Sequence, residues 1–258
     1  MGIVVGDAAL APGDYAIRLQ EIPVARGHVG MTSAPTASTA EPPGEELIVR
    51  HLHRVLHQYG YMFLGIQETH ALLEGLRTTH PHLVREVVPQ LVSPVLLAEV
   101  LRRLAREGIS LRPMRDILET LAKCKHGEQD AVALAESVRR ALHRHITFKH
   151  SDGDGSVGVF YLDPMIEETV REAVRKTDAG SHLALEPELS GDIVEAVKTA
   201  VAEAPSPVIL TASDIRPHLR GLLESEQPQV AVLAHQELTP DAKLRTLGRI
   251  TVGTPAEP

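Results

Sequence analysis

Apolar side chains recur at helical spacing through the segment from Glu45 to His145, and this pattern limits the fold more than any other feature of the sequence. A spacing of three or four residues places such side chains on one face of a helix. In the first helix they are Leu47, Leu52, Val55, Leu56 and Tyr59. Short connections join the helical segments, so the sequence predicts a compact helical bundle.

Helix-end signals are clearest in the segment SPVLLAEVLRRLAREG. Ser93 is a favourable N-cap, Pro94 fits the first turn and Gly108 is a typical stop. The segments PMRDILETLAKC and DAVALAESVRRALHRHI repeat the amphipathic pattern and predict further helices. The basic clusters RRLAR and RRALHR lie on helices whose other faces are apolar, and we interpret them as solvated faces.

The N-terminal segment has the alternating pattern of a strand and not the spacing of a helix. In DYAIRLQEIPVA, the side chains of Tyr15, Ile17 and Leu19 alternate on one face, which predicts one half-buried strand over residues 14–25. The run Ile3–Val5 predicts a partner strand across a turn. Two strands alone are marginally stable, so this hairpin must pack against another element.

A sharp change in composition follows the hairpin. Residues Gly30–Glu46 are small, polar and rich in proline, with almost no side chain to bury. Such a composition is typical of a linker or a disordered loop.

After His145 the pattern changes from helical to mixed. The segments ITFKH and SVGVFYL flank the glycine-rich SDGDG and predict a hairpin. The remaining elements predicted are a helix from Asp163-Pro164 to Thr177, the apolar run HLALEP, a helix over Ser190–Glu203, a strand PVILTA, a helix capped by Ser213, a strand VAVLA and a strand over Leu247–Val252. Strands interleaved with helices predict an α/β layer.

Composition and charge exclude several function classes. The net charge of −8 disfavours an electrostatic grip on nucleic acid or an anionic membrane. Cys124 is the only cysteine, so an intramolecular disulfide is ruled out and we expect an inert, packed thiol in a reducing compartment. The sequence has no apolar run long enough to span a membrane and no secretory signal, which predicts a soluble, cytosolic chain.

No motif in the sequence requires catalytic chemistry, a cofactor or a metal. Asp152, Asp154 and Ser156 alternate as in a calcium loop, but the later positions of that loop do not match, and a hairpin turn is favoured. His53 and His57 lie one helical turn apart without a third ligand, so we interpret them as ordinary histidines. A nucleophile elbow, a phosphate loop and HExxH are all missing from the sequence. The glycines of SDGDGSVG lie between predicted strands, so they lack the helix N-terminus that binds phosphate.

Five collinear segments resemble one protein family over most of the chain, from about Gly13 to Ile250. They are RLQEIPVARG; GIQETHALLEGL; HLVREVVPQLVSPVLLAEVLRRLAREGISLRPMRDILETLA; KTDAGSHLALEP; and PVILTASDIRPHLRGLLESEQPQVAVLAHQELTP. These segments are similar to the cytoplasmic domain of the large export-gate protein of type III secretion, the FlhA/SctV family. DAGSHLALEP resembles the injectisome branch, associated with virulence, more than the flagellar branch.

The resemblance implies an α+β fold of several subdomains: an N-terminal β-hairpin remnant, a central helical bundle and a C-terminal α/β subdomain. Its expected bounds are a first-subdomain remnant over 1–29, a linker over 30–46 in place of the second subdomain, a helix over 47–66 returning to the first subdomain, a helical third subdomain over 67–147 and an α/β fourth subdomain over 148–258.

The resemblance also implies a function. Family members form a nine-membered ring beneath the export pore that receives chaperone-bound cargo and orders its export, so the expected role is a docking platform and not an enzyme. The expected partners are further copies of the chain, secretion chaperones with their cargo, and other export-apparatus proteins, with no nucleic acid and no cofactor. The platform is expected on the cytoplasmic face of the bacterial inner membrane, held there by an N-terminal membrane half.

Two departures from the family pattern qualify this expectation. The chain begins within the first subdomain, so we expect an excised fragment that self-associates weakly and is monomeric in dilute solution. The second subdomain, which carries much of the chaperone groove, is replaced by residues 30–46. Only Val49, Arg50 and His51 match one edge of that groove.

The bend from Gly108 to Met114 resembles a turn of the family's helical subdomain. Its arginines suit carboxylate partners, and acids of opposite sign follow them. Either these side chains brace the turn between two helices, or they contact a neighbouring copy around the ring. The residues concerned are Arg112, Arg115, Asp116 and Glu119, with Arg115 and Glu119 spaced for an i, i+4 pair.

Two other function classes remain open at this point. An α/β hydrolase or transferase with a helical cap would require a pocket with convergent titratable groups. A helical regulator of nucleic acid would require a basic recognition helix, which the sequence lacks.

Overall fold

A computed structural model describes residues 2–4, 10–29, 44–124, 129–177 and 180–252. The chain divides into two compact units, Met1–Phe63 and Leu64–Pro258. The predicted linker over 30–46 falls largely on residues 30–43, which lie outside the described residues.

The first unit is a three-stranded antiparallel sheet with one helix. Its strands lie in the order β1-β2-β3, and Tyr15, Ile17 and Val55 form its buried core. The elements are β1 (Gly2–Val4), β2 (Asp14–Leu19), β3 (Ile22–His28), α1 (Gly44–Tyr59) and a 3-10 turn (Gly60–Phe63). Because Val55 of α1 packs with β2 residues, the sheet has the additional element that its stability requires.

The prediction of one strand over residues 14–25 was wrong, because β2 and β3 form a hairpin there. Leu19 pairs with Ile22, and the two residues between them, Gln20 and Glu21, have φ values of 49° and 72°. Two central residues with positive φ are typical of a type I′ turn. Neither residue is the Gly, Asn or Asp that usually marks such a turn, so the turn carries no local sequence signal.

The second unit begins with a helical bundle. Its helices are α2 (Ile66–Arg77), α3 (Pro81–Val87), α4 (Pro94–Arg106), α5 (Met114–Lys123), α6 (Ala131–Ala141) and α7 (His143–His150). Ser93 caps α4 as predicted, since its hydroxyl accepts from the Leu96 amide at 3.1 Å. Gly108 follows the helix with a φ of 67°, the left-handed conformation that glycine adopts without strain.

The predicted hairpin after His145 was wrong, because ITFKH belongs to α7. Ile146 and Thr147 are β-branched, as strand residues often are, but both are buried on α7. Tertiary burial therefore outweighs local strand propensity at this segment.

A mixed layer follows. Its elements are β4 (Ser156–Leu162), α8 (Pro164–Ala173), β5 (Val174–Thr177), β6 (Gly180–Leu183), α9 (Pro187–Val201), β7 (Val208–Thr211), α10 (Arg216–Leu223), β8 (Ala231–Ala234), a 3-10 helix (His235–Glu237) and β9 (Lys243–Ile250). Four strands form a parallel sheet in the order β8-β7-β4-β9, while β5 and β6 form a separate antiparallel pair.

Both faces of the parallel sheet are covered. Val208 and Leu210 of β7 pack into the same core as the helical bundle, whereas Ile209 packs with α8, α9 and α10. This two-sided burial explains why β7 reads as a continuous apolar run. The predicted fold class, a helical bundle followed by an α/β subdomain, is confirmed.

Candidate functional site: a buried ion-pair network

The bend after α4 directs Glu107 into the interior of the second unit. The Lys149 ammonium donates to the Gly108 carbonyl at 2.8 Å and so satisfies a carbonyl at the end of the helix. At the same bend, the Glu107 carboxylate accepts from two arginines, Arg139 of α6 and Arg216 of α10. The bend therefore positions an acid between helices that are distant in sequence.

Arg216 holds two carboxylates at once. Its Nη1 and Nη2 donate to Glu107 at 2.6 and 3.2 Å, and its Nε donates to Glu136 of α6 at 2.7 Å. A second bond, from Nη2, also reaches Glu136. Nη1 further donates to the Val232 carbonyl of β8 at 3.2 Å. Such forked pairing uses the planar geometry of guanidinium.

Arg139 completes the cluster from the other side. Its Nε and Nη2 donate to the two oxygens of Glu237 at 2.6 and 2.8 Å, and its Nη1 donates to Glu107 at 2.9 Å. Glu237 also accepts from the Ala234 amide at 3.3 Å. We call Glu107, Glu136, Arg139, Arg216 and Glu237 the buried network.

Burial and charge act against each other in the buried network. Arg139, Arg216 and Glu237 are at most 2% exposed. Burial alone would raise the pKa of Glu107, but the charges of Arg139 and Arg216 outweigh it and the pKa lies below its ordinary value. For Glu136 burial prevails, and its pKa is raised in spite of Arg216. Burial would lower the pKa of Arg216, yet Glu107 and Glu136 raise it.

The network connects the bundle to the parallel sheet within the second unit. Glu107, Glu136 and Arg139 come from the helical part, whereas Arg216 and Glu237 come from the α/β part. Each of the three carboxylates is held by at least one guanidinium, so the arrangement has the chemistry of a structural clamp and offers no activated base or nucleophile.

The interpretation of RRALHR as a solvated face was wrong for one of its residues. Arg139 is 2% exposed, whereas Arg140 beside it is exposed. The helical pattern could not reveal this difference, because the Glu237 partner of Arg139 lies 98 residues later in the sequence.

The candidate residues of the bend lie on the surface. Arg115 donates to Glu119 at 2.8 Å, the predicted i, i+4 pair, but both side chains belong to α5 and are exposed. The pair therefore spans one helical turn and does not join two helices. Arg112 and Asp116 are exposed as well. Whether any of these residues contacts a neighbouring copy stays a prediction.

The candidate edge of a chaperone groove lies on α1 in the first unit. Val49 is 64% exposed, and Arg50 pairs with Glu46 on the same helix at 2.9 Å. The His51 ring nitrogen Nδ1 lies 2.7 Å from the Tyr15 hydroxyl of β2. His51 therefore anchors α1 to the sheet, while Val49 presents an apolar side chain to solvent.

The described residues include no cluster of three or more metal-binding side chains. Asp154 accepts from the Ser156 amide and hydroxyl at 2.9 and 2.7 Å, and Asp152 pairs with Arg245 at 2.7 Å. These acids therefore stabilise the turn before β4. The turn joins α7 to β4 and is not the predicted hairpin turn, because ITFKH is helical.

Open parallel sheets commonly bind ligands at the carboxyl ends of their strands. At the carboxyl end of β7, a carboxylate of this same protein makes the hydrogen bonds instead. Glu167 of α8 accepts from the Thr211 hydroxyl at 2.7 Å and from the Ala212 amide at 3.1 Å. The Ser181 hydroxyl lies 3.3 Å from the His218 ring, as in part of a serine–histidine–aspartate triad. Asp214, however, is bound to Arg171 at 2.7 Å.

Within the part of the chain that the structure describes, no helix is both long and apolar enough to cross a membrane.

Comparisons with known proteins agree on one family. The model of the FHIPEP family matches residues 36–243. The Low calcium response locus protein D of Yersinia pestis is 33% identical, over 93% of this chain and 40% of that protein. The chain spans less than half the length of the curated relatives it matches.

Solved structures give the same answer. The Chlamydia pneumoniae CdsV protein, solved in complex with CdsO, has a TM-score of 0.83 and 34% identity, over 95% of this chain and 82% of that one. The nonameric SctV-C of EPEC has a TM-score of 0.80 and 25% identity, over 96% and 86%. The resemblance predicted from the sequence is confirmed: the chain belongs to the FHIPEP family of type III secretion export-gate proteins, and it is similar to cytosolic domains of the injectisome type.

Proposed function

We propose that this chain is the cytoplasmic docking platform of a type III secretion export gate, where copies assemble into a ring, receive chaperone-bound substrates and order their export. The observation that carries the proposal is the likeness of the whole described fold to a domain solved as a nonamer. The chain works on the cytoplasmic face of the inner membrane, held there by a membrane half of the kind that the longer relatives can accommodate.

The platform acts by binding and does not catalyse a reaction. Two features support this over a hydrolase or transferase with a helical cap. The carboxylates of the buried network are neutralised by arginines, and the crevice at the end of β7 holds Glu167. An active site needs a nucleophile or base that is free to react.

Self-association requires an exposed surface, and the second unit offers two features for it. Phe148 of α7 is 85% exposed, which is unusual for a large aromatic side chain. The exposed Arg112 of the bend lies on the same helical part. We assign both to contacts between neighbouring copies, and we assign Val49 of α1 to chaperone binding. The CdsV–CdsO complex of the relative adds a further class of partner, another protein of the secretion apparatus.

The experiment is complementation of a strain that lacks the full-length gene. Substrate secretion and ring assembly are measured for the unaltered protein and for Phe148→Ser, Arg112→Glu and Val49→Glu. We expect the first two variants to lose ring assembly and secretion together. Val49→Glu should assemble normally but secrete less and capture fewer chaperone–substrate complexes. Normal secretion in a strain that lacks the gene altogether would refute the proposed function.

A further inference from the structure

The strand β9 presents an unpaired edge of the parallel sheet. In the order β8-β7-β4-β9 it is the terminal strand, and its one strand partner among the described residues is β4. The first five residues, Lys243–Leu247, are all exposed. A strand edge of this kind displays backbone N–H and C=O groups that can pair with another chain.

A cleft of about 450 Å³ opens at the beginning of β9. Its apolar lining includes Leu238, Ala242 and Leu244, and His143 and His235 line it as well. Leu244 is also the second residue of β9, so the cleft and the strand edge are continuous. A chain that extends along the edge would bring its end residue to this cleft.

The charge along the edge has one sign. Lys243, Arg245 and Arg249 are exposed, and β9 contains no acidic residue. Arg245 pairs with Asp152 at 2.7 Å, whereas Lys243 and Arg249 have no charged partner among the described residues. Asp241 precedes the strand and is the exposed acid closest to it in sequence. The chain as a whole carries −8, so this edge differs from the protein's overall charge.

We propose that the β9 edge binds an acidic, extended segment of a partner protein by strand addition, with an apolar side chain at the end of that segment seated in the cleft. Backbone hydrogen bonds supply affinity in this mode, while side-chain pockets and charge supply specificity. Leu244 and Leu247 lie on opposite faces of the strand and offer apolar contacts to alternate residues of the added segment.

The positive charge of the β9 edge favours an acidic partner segment over a second copy of this chain. Basic side chains on an edge repel a second basic strand, so two copies of β9 do not pair with each other. The opposite edge of the sheet, β8, is short and almost wholly buried, so a second copy cannot offer it either. An acidic strand meets complementary charge at Lys243, where the edge begins, and at Arg249 near its end.

The test uses an eight-residue peptide, the length of β9, in which Glu and Val alternate and one end carries Leu. Both peptide directions are made, since an added strand can run parallel or antiparallel. Binding to the chain is titrated by fluorescence anisotropy, and backbone amide exchange identifies the protected residues. We expect protection over Lys243–Arg249 for one of the two directions.

Three controls separate strand addition from simple charge attraction. The same peptide with alternate backbone nitrogens methylated keeps its charges but loses donors, and we expect at least tenfold weaker binding. The double variant Lys243→Glu/Arg249→Glu should also bind at least tenfold more weakly. The variant Lys123→Glu/Lys198→Glu, with the same change in net charge on exposed helical positions, should bind normally. Equal affinity for the methylated peptide, protection outside β9, or no binding in either direction would overturn the proposal.

Discussion

Arg216 and Glu107 lie 109 positions apart in the sequence and are joined by two guanidinium–carboxylate hydrogen bonds, of 2.6 and 3.2 Å. Around this pair the helical and α/β parts of the second unit share one buried network. Removal of one partner leaves a buried charge without compensation, which costs far more free energy than the loss of a surface ion pair.

Arg216→Ala should therefore destabilise the chain strongly. It removes the guanidinium that holds Glu136 and leaves Glu107 with Arg139, and we expect the free energy of unfolding to fall by about 3–5 kcal/mol. Urea denaturation followed by circular dichroism measures this change. Arg144→Ala, at an exposed position of α7, is the matched control and should have little effect. Equal stability of both variants would show that the network does not hold the unit together.

His150 should make stability depend on pH. Burial, aided by the charges of Lys149 and Arg139, lowers its pKa from 6.5 to about 4 in the folded chain. Between these two pKa values the unfolded chain binds a proton at His150 and the folded chain does not. The contribution of the neutral ring to folding stability is therefore complete above pH 6.5 and is lost as the pH falls toward 4. The loss between pH 7.5 and pH 5 should be about 2 kcal/mol.

The measurement is urea denaturation at several pH values for the unaltered chain and for His150→Gln. The variant should lose much of the change between pH 7.5 and pH 5. His145→Gln, at an exposed position on the same helix, should keep the full pH dependence. A His150→Gln profile that matches the unaltered chain would contradict the assignment.

Gly108→Ala should destabilise the bend. The φ of 67° places this residue in the left-handed region, where a side chain costs about 1–2 kcal/mol. Gly75→Ala in α2 is the control, because an added Cβ there meets no atom within 4 Å. Alanine favours helix by up to about 1 kcal/mol over glycine, so this control should raise the melting temperature. A rise for both variants would refute the need for glycine at the bend.

Arg115→Ala should leave the melting temperature nearly unchanged. Its bond to Glu119 is exposed and lies within a single helix, so solvent replaces it when it is lost. Differential scanning calorimetry of the isolated chain measures this. A fall comparable to that of Arg216→Ala would restore the interpretation of Arg115 as an internal brace.

The sequence predicted those features that depend on neighbouring residues. Ser93 as a cap and Gly108 as a stop are local signals, and both hold. The turn at Gln20 and Glu21 carries no such signal, and α7 looked like a strand because burial against distant elements decides its conformation. Local chemistry thus predicted both ends of α4 but not the conformation of these two segments.

The buried network was out of reach for a different reason. Glu107, Arg139 and Arg216 each occur in ordinary amphipathic helical patterns, where charged residues are usually solvated. Their partners lie 32 to 109 residues away, and pairing at such separations depends on topology. The bend after Glu107 is distinctive in the sequence, but its arginines after the glycine lie on the surface, whereas the acid before the glycine belongs to the buried network.

The position of β9 has a consequence for synthesis on the ribosome. Among the described strands it is synthesised last, yet it pairs beside β4, with Lys243 next to Ser156. Arg216 likewise emerges long after Glu107 and Glu136. A nascent chain can fold its local helices early, but those two acids lack Arg216, and β4 lacks one neighbour, until the end of the α/β segment has left the exit tunnel. The described α/β part is therefore completed only after β9 has emerged from the ribosome.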